Sequence, residues 1–123
     1  LEALVGVLVD PVYGPMITVG LGGIHTEIFK DVASAPAPVS QEDALALLQR
    51  LKAWPLFAGS RGARPADALA LARTVAALSR FAWDHRAHIA EIDLNPVFVH
   101  AEGQGVSVAD ALIVTGPIME RQV

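Results

Sequence analysis

The chain has 123 residues, of which 53% are hydrophobic and 18% charged, so it can form one hydrophobic core and hardly two. Its formal net charge of −4 gives no general electrostatic attraction to nucleic acid or to an anionic membrane. Cysteine is absent, which excludes disulfide scaffolds, thiolate metal sites and cysteine nucleophiles. We therefore expect one domain with no nucleic-acid or membrane partner, in a reducing cytoplasmic compartment.

The first part of the chain is typical of short strands joined by turns. An apolar run covers Leu4 to Val9, and a second run covers Met16 to Val19. Asp-Pro and Gly-Pro pairs between these runs predict a turn, so the two runs should form an antiparallel pair. Residues Ile24 to Phe29 alternate between apolar and polar and predict a third strand.

Two helices are expected in the middle of the chain. The Pro-rich stretch 33–40 predicts an extended connector before them. Ser40 is a typical helix-capping residue, and the apolar spacing after it predicts an amphipathic helix that ends near Ala53. A second, longer helix is expected to open at Pro65 and to run to about Arg86.

The last part of the chain predicts a β-hairpin. Two β-rich runs, Ile89 to Val99 and Val106 to Val114, are joined by a glycine-containing turn at 101–105. The predicted order is therefore β-β-β-α-α-β-β. This order favours an α+β fold, with a mainly antiparallel sheet and helices packed on one of its faces.

The register of this hairpin can be worked out by counting. A turn centred on Glu102-Gly103 puts Asn95 opposite Asp110 and Asp93 opposite Leu112. Because side chains alternate across a strand, every second residue should lie on the same face. The polar face would carry Glu91, Asp93, Asn95 and Asp110, and the other face would carry Ile92, Leu94 and Phe98.

Such a polar face would bring three carboxylates and an amide oxygen close together. Like charges on neighbouring strands are destabilising unless they are neutralised, and a hard divalent cation such as Mg²⁺ would neutralise them. The alternative is a plain solvent-exposed face, and a register shift of one residue would also separate the group.

A glycine cluster, Gly20 to Gly23, is a second candidate binding element. Its backbone N–H groups, including those of Gly22 and Gly23, could face a phosphate. The alternative is an ordinary β-turn or bulge.

Three segments together resemble a known family. They are Glu91-Ile-Asp-Leu-Asn-Pro96 with Asp110, the run Gly14-Pro-Met-Ile-Thr-Val-Gly-Leu-Gly-Gly-Ile-His-Thr-Glu-Ile-Phe-Lys-Asp31, and Gly59-Ser-Arg-Gly62. They resemble the C-terminal part of the ATP-grasp domain in NDP-forming acyl-CoA synthetases. That family includes ADP-forming acetyl-CoA synthetases and is related to the β subunit of succinyl-CoA synthetase. The resemblance covers essentially the whole chain.

The resemblance implies a ligase that joins an acid to CoA with ATP and Mg²⁺, through an acyl phosphate and a phosphohistidine. In such proteins the residues that match Asn95 and Asp110 hold Mg²⁺, and the residue that matches Asp93 meets the phosphohistidine near the nucleotide. The resemblance also places Glu2 near the nucleotide, where Gly22 and Gly23 are the further candidates for binding ATP.

The same resemblance implies that other parts of the machinery lie outside this chain. These are the remaining ATP-grasp lobe, a CoA-binding domain and a domain that bears the phosphohistidine, so the chain alone is expected to be inactive. Two alternatives stay open. The region could serve regulation in a fused protein acetyltransferase, or it could be a non-catalytic interaction module with an acidic face.

Overall fold

The computed structural model describes residues 1–22, 31–59 and 62–116. Within these ranges the strands are β1 (Glu2–Asp10), β2 (Gly14–Leu21), β3 (Val32–Pro36), β4 (Ile89–Val99), β5 (Val106–Val108) and β6 (Ala111–Thr115), and the helices are α1 (Gln41–Gln49), α2 (Trp54–Phe57) and α3 (Ala68–Asp84). The strands form one antiparallel sheet in the order β3-β2-β1-β4-β5, and β6 also pairs with β4.

The predicted turn between the first two strands is confirmed. The Asp10 carboxylate accepts hydrogen bonds from the backbone N–H groups of Val12, at 2.7 Å, and Tyr13, at 2.9 Å. These bonds hold the pKa of Asp10 below its ordinary value, and the bond from Tyr13 contributes most. The turn is therefore closed by a side chain that is ionised at neutral pH.

The third described strand corrects one prediction. The strand expected at Ile24 to Phe29 lies outside the described residues. The expected connector, 33–40, instead begins as part of β3, where Ala33 pairs with Val19 and Ala35 pairs with Ile17. Proline is tolerated here because β3 lies at an edge of the sheet that the described strands form, where ladder hydrogen bonds are needed on one side only.

Helix α1 begins as predicted but ends earlier. The Ser40 hydroxyl accepts a hydrogen bond from the N–H of Asp43 at 3.0 Å, which caps the helix. The helix ends at Gln49, and the short helix α2 follows with a proline in its first turn, where a missing N–H costs nothing. Between them, the buried Asp31 carboxylate accepts from the N–H groups of Lys52 and Ala53.

Helix α3 begins at Ala68 and not at Pro65. Its N-cap is Asp67, whose carboxylate accepts a hydrogen bond from the N–H of Ala70 at 3.1 Å. The helix ends at Asp84, close to the predicted end. No helix in the described ranges is long and apolar enough to cross a membrane.

The hydrophobic core lies between α1, α3 and one face of the sheet. Residues from all of these elements are less than 2% exposed, among them Val5, Ile17, Leu48, Leu71, Val75 and Ile92. The opposite sheet face carries exposed side chains such as Leu8 and Leu112, and none of the described helices packs on it. We call this second surface the open face.

Strand β4 contains a bulge that the sequence did not predict. Ala3 of β1 pairs with Val97, but Val5 pairs with Leu94, so one extra residue is accommodated at Asn95-Pro96. The Asn95-Pro96 peptide bond is cis. The extra residue reverses the alternation of side chains after the bulge.

The prediction for Phe98 was therefore wrong. Ile92 and Leu94 face the core as expected, but beyond the bulge it is Val97 and Val99 that are buried. Phe98 consequently lies on the open face, where it is 39% exposed.

Candidate functional site

Rows of side chains cross the open face from strand to strand. One row contains Met16, Leu8, Glu91 and Val114, and the next contains Thr18, Gly6, Asp93 and Leu112. A row at the far end of the face contains Glu2, Phe98 and Ser107. Asp93 thus stands near the middle of the open face, with Gly6 on one side of it and Leu112 on the other. The bulge at Asn95-Pro96 lies between its row and that of Phe98.

Asn95 and Asp110 lie opposite each other, as predicted. The N–H of Asn95 donates to the backbone carbonyl of Asp110 at 3.2 Å, and the N–H of Ala109 donates to that of Pro96 at 3.0 Å. Asp93 faces Leu112 in the same register. Asp110 falls in the break between β5 and β6, and both it and Asn95 are exposed.

The expected cluster of three carboxylates is not formed. In residues 1–22, 31–59 and 62–116, no three His, Cys, Asp or Glu side chains are close enough to hold a metal ion together. Glu91 and Asp93 share a face, but residues two apart on a strand are about 7 Å apart along it. Glu91 is instead flanked by Leu8 and Val114.

The remaining pair still fits a magnesium ion by its donor chemistry. Asn95 offers an amide oxygen and Asp110 a carboxylate, and both are hard oxygen donors of the kind that Mg²⁺ prefers. Magnesium usually takes few protein ligands and completes its octahedron with water and substrate phosphates. An exposed pair on an open face leaves room for those further ligands.

The structure describes two of the three candidate nucleotide-binding residues. Glu2 is exposed at the start of β1, across from Phe98. Its backbone carbonyl accepts the N–H of Gly22 at 2.9 Å, so this N–H is not free for a phosphate, and the expectation for Gly22 as a phosphate donor is not met. A Cβ on Gly22 would lie 3.0 Å from the carbonyl oxygen of Ala3, which explains the glycine. Gly23 lies outside the described residues.

Asp67 is a buried carboxylate that the sequence analysis did not single out. Besides capping α3, it accepts hydrogen bonds from the N–H groups of Gly103, at 3.1 Å, and Gly105, at 2.8 Å. The bonds from Gly105 and Ala70 are the main reason that its pKa lies below the ordinary value. Asp67 thereby fixes the β4–β5 turn against α3 and supports the register that opposes Asn95 to Asp110. An acidic residue at the start of the helical pattern was the signal for its capping role.

Comparison with protein families identifies the class. Residues 1–115 match the model of the ATP-grasp domain, and the chain belongs to the ATP-grasp family. The resemblance seen in its motifs and the expected α+β architecture are both confirmed.

The similar curated proteins are ADP-forming acid–CoA ligases. The chain is 42% identical over 113 residues to the β subunit of acetate–CoA ligase (ADP-forming) II from Pyrococcus furiosus, covering 92% of this chain and 48% of that subunit. It is 36% identical over 112 residues to 4-hydroxybutyrate–CoA ligase (ADP-forming) from Nitrosopumilus maritimus, covering 91% and 16% respectively. The chain thus spans about half the length of the Pyrococcus subunit and a smaller part of the longer ligase.

Solved structures show the same fold. A protein from Pyrococcus horikoshii superimposes with a TM-score of 0.89 at 40% identity, covering 94% of this chain and 48% of the other. The acetyl-coenzyme A synthetase 1 of Ca. Korarchaeum cryptofilum, solved with coenzyme A and Mg-AMPPCP, superimposes with a TM-score of 0.86 at 37% identity, covering 94% and 53%. In that structure a phosphohistidine segment points towards the nucleotide-binding site.

Proposed function

We propose that this chain is the magnesium- and nucleotide-binding part of an ADP-forming acid–CoA ligase. The overall reaction converts an acid, CoA and ATP into acyl-CoA, ADP and phosphate, with a phosphohistidine as carrier. The observation that carries the proposal is the opposition of Asn95 and Asp110 on the open face of an ATP-grasp fold. Similar proteins that act on acetate and 4-hydroxybutyrate support it.

Each residue of the site has a distinct role in this proposal. The amide oxygen of Asn95 and the carboxylate of Asp110 would hold Mg²⁺. The ion held there would supply positive charge to offset the negative charge that develops during phosphoryl transfer. Asp93 would meet the phosphohistidine, and Glu2, which is exposed at the start of β1, would lie near the nucleotide.

The rest of the machinery is proposed to come from the remainder of the protein or from a partner subunit. It comprises the other ATP-grasp lobe, the CoA-binding domain and the domain with the phosphorylated histidine, and residues 1–123 act as the C-terminal subdomain beside them. The open face supports this view, because Leu8 is 62% exposed and Leu112 is 56% exposed on it. Apolar side chains at this density on one surface indicate a contact with further protein or ligand.

The test is substitution of the metal pair in the whole protein. Asn95→Ala and Asp110→Asn should each lower ATP-dependent acyl-CoA synthesis and phosphohistidine formation by about a hundredfold. The first removes the amide oxygen that would hold the ion, and the second removes the negative charge that would attract it. The Mg²⁺ concentration that gives half-maximal activity should also rise. Gln104→Ala and Asp84→Asn are matched controls, since they remove an exposed amide and an exposed carboxylate outside the site.

Two results would contradict the proposal. Full activity with an unchanged Mg²⁺ requirement in both site variants would remove the metal role of the pair. Acetyl transfer to protein lysines by a whole protein that makes no acyl-CoA would instead favour the regulatory region of a fused acetyltransferase.

A further inference from the structure

The turn between β1 and β2 exposes two large side chains next to each other. Tyr13 is 81% exposed and Val12 is 79% exposed, the highest values among the large hydrophobic residues that the structure describes. Both lie in the three-residue turn 11–13, between the paired residues Asp10 and Gly14. Single exposed apolar residues are ordinary on a protein surface, whereas an adjacent pair this exposed suggests a contact. We call Val12 and Tyr13 the hairpin tip.

The backbone that carries the hairpin tip is held in place before any contact. The Asp10 carboxylate accepts hydrogen bonds from the N–H groups of both tip residues. Pro11 has a restricted φ angle, and Gly14 has a φ of +83°, which residues with side chains rarely adopt. A segment that is already ordered loses little conformational entropy on binding, so apolar side chains presented on it are well suited to docking.

The charges near the hairpin tip limit what can bind there. Strands β1, β2 and β3 contain no Lys or Arg. Asp10 adjoins the tip and is ionised at neutral pH, because the hydrogen bonds from Tyr13 and Val12 lower its pKa. Glu91 lies nearby, since it pairs with Leu8, two residues before Asp10. This negative charge disfavours an anionic membrane and favours an apolar surface that has Lys or Arg at its edge.

The hairpin tip also continues the open face. Leu8 lies on that face and is 62% exposed, and β1 ends two residues later at Asp10. The proposed function places further protein against the open face, and the chain spans about half the length of the similar Pyrococcus subunit. Protein that covers Leu8 would extend to the hairpin tip with little change of direction.

We propose that the hairpin tip docks into an apolar pocket with a basic rim on another part of the same ligase, outside residues 1–123. Val12 and the ring of Tyr13 supply apolar contact area, the tyrosine hydroxyl hydrogen-bonds at the rim, and Asp10 attracts the Lys or Arg there. Tyrosine is enriched among the residues that dominate binding at protein interfaces. The inference rests on the proposed function, because it takes the partner from the machinery that the ligase requires.

A photo-crosslinker at position 13 tests the contact in the whole protein. Tyr13→p-benzoylphenylalanine keeps an aromatic ring in the turn, and irradiation followed by mass spectrometry identifies the peptide that the ring reaches. We expect one main crosslinked peptide, from the ligase outside residues 1–123, with Lys or Arg beside apolar residues. Leu69→p-benzoylphenylalanine is the control, because Leu69 is 51% exposed on α3, and it should not crosslink to the same peptide.

Val12→Ser, made in the crosslinking protein, measures the apolar part of the contact. It should lower the crosslinking yield by about fivefold, because it removes an apolar side chain that is buried in the complex. Leu69→Ser makes the same kind of change on α3 and should leave the yield unchanged. The Tm should be unchanged in both variants, since exposed side chains contribute little to the stability of the fold. High salt should lower the yield, because it screens Asp10 from the basic rim.

The outcomes separate the docking contact from the proposed function. In a whole protein that makes acyl-CoA, three results would overturn the docking contact and leave the proposed function intact. They are no crosslinked product, a product only with residues 1–123 of the same or a second copy, and a product only with added vesicles of phosphatidylcholine and phosphatidylserine. An unchanged yield in Val12→Ser would also overturn it. A protein that crosslinks outside residues 1–123 but makes no acyl-CoA overturns the proposed function, and with it the assignment of the partner to a ligase.

Discussion

Asp67 joins two parts of the chain that are far apart in sequence. Its carboxylate accepts three backbone N–H groups, one at the start of α3 and two in the β4–β5 turn. All three bonds favour the ionised form, so the pKa is lower in the folded chain than in the unfolded chain. Asp67 therefore stabilises the fold at neutral pH, and its contribution disappears as the pH falls through the ordinary Asp value and then through the lowered one.

We expect Asp67→Asn to lower the stability of the fold at pH 7 and to make that stability less dependent on pH in the acid range. An amide oxygen can accept some of the bonds but carries no charge, so the denaturant midpoint at pH 7 should fall, while the difference from wild type should shrink below about pH 4. Urea unfolding followed by circular dichroism, at pH 7 and below about pH 4, measures the two denaturant midpoints. Asp84→Asn, an exposed carboxylate at the end of α3, is the control, and equal pH profiles for wild type and Asp67→Asn would contradict the prediction.

Helix α3 is held mainly by one stripe of buried side chains. A buried and an exposed leucine on this helix allow that contribution to be tested. Leu71 is fully buried against the sheet and α1, whereas Leu69, half a turn away, is 51% exposed. Leu71→Ala should lower the free energy of unfolding by about 2–5 kcal/mol, because it leaves a cavity in the core. Leu69→Ala should change it by less than about 0.5 kcal/mol. Equal effects in chemical unfolding experiments would show that the burial of α3 differs from this structure.

The C-terminal hairpin shows how far sequence alone can go. Its register was predictable because a glycine-containing turn fixed the count and the two-residue alternation was clear on both sides. The opposition of Asn95 and Asp110 follows from that register alone. The bulge was not predictable, because the extra residue depends on how β4 pairs with β1, a strand more than eighty positions away, and Phe98 was consequently assigned to the wrong face.

Other differences have equally local causes. The Pro-rich stretch 33–40 was predicted to lack strand structure, but β3 forms there. Among the described strands it lies at an edge of the sheet, where the missing N–H of a proline need not face a neighbouring strand. The three carboxylates did not converge, since sharing a face does not bring residues two apart on a strand into contact. Gly22 was a reasonable phosphate-binding candidate by composition, yet its N–H is used within the sheet.

The two described edges of the sheet differ in how they are protected. Strand β3 ends in Pro36, and Pro38 follows it. Strand β6, with the sequence ALIVT, carries neither proline nor charge, and all five of its residues are exposed. Among the described residues β6 pairs only with β4, so its other side offers unpaired backbone groups to another strand.

We expect the 123-residue chain on its own to self-associate through β6. Ile113→Lys should reduce this association, because a charged residue in an edge strand opposes strand addition. Sedimentation velocity over a range of protein concentrations measures it. Leu69→Lys, which adds the same charge on exposed α3, should leave the association unchanged, and an equal reduction by both variants would indicate a general charge effect.

The bulge at Asn95-Pro96 also restricts how the length of this strand can change in evolution. Just ahead of it the even-numbered residues Ile92 and Leu94 of β4 enter the core, and beyond it the odd-numbered residues Val97 and Val99 do. A one-residue deletion there would turn Val97 and Val99 outwards and Phe98 inwards unless hydropathy were exchanged at all three positions together. A change in the length of this strand therefore requires coordinated changes at Val97, Phe98 and Val99, which a single substitution does not.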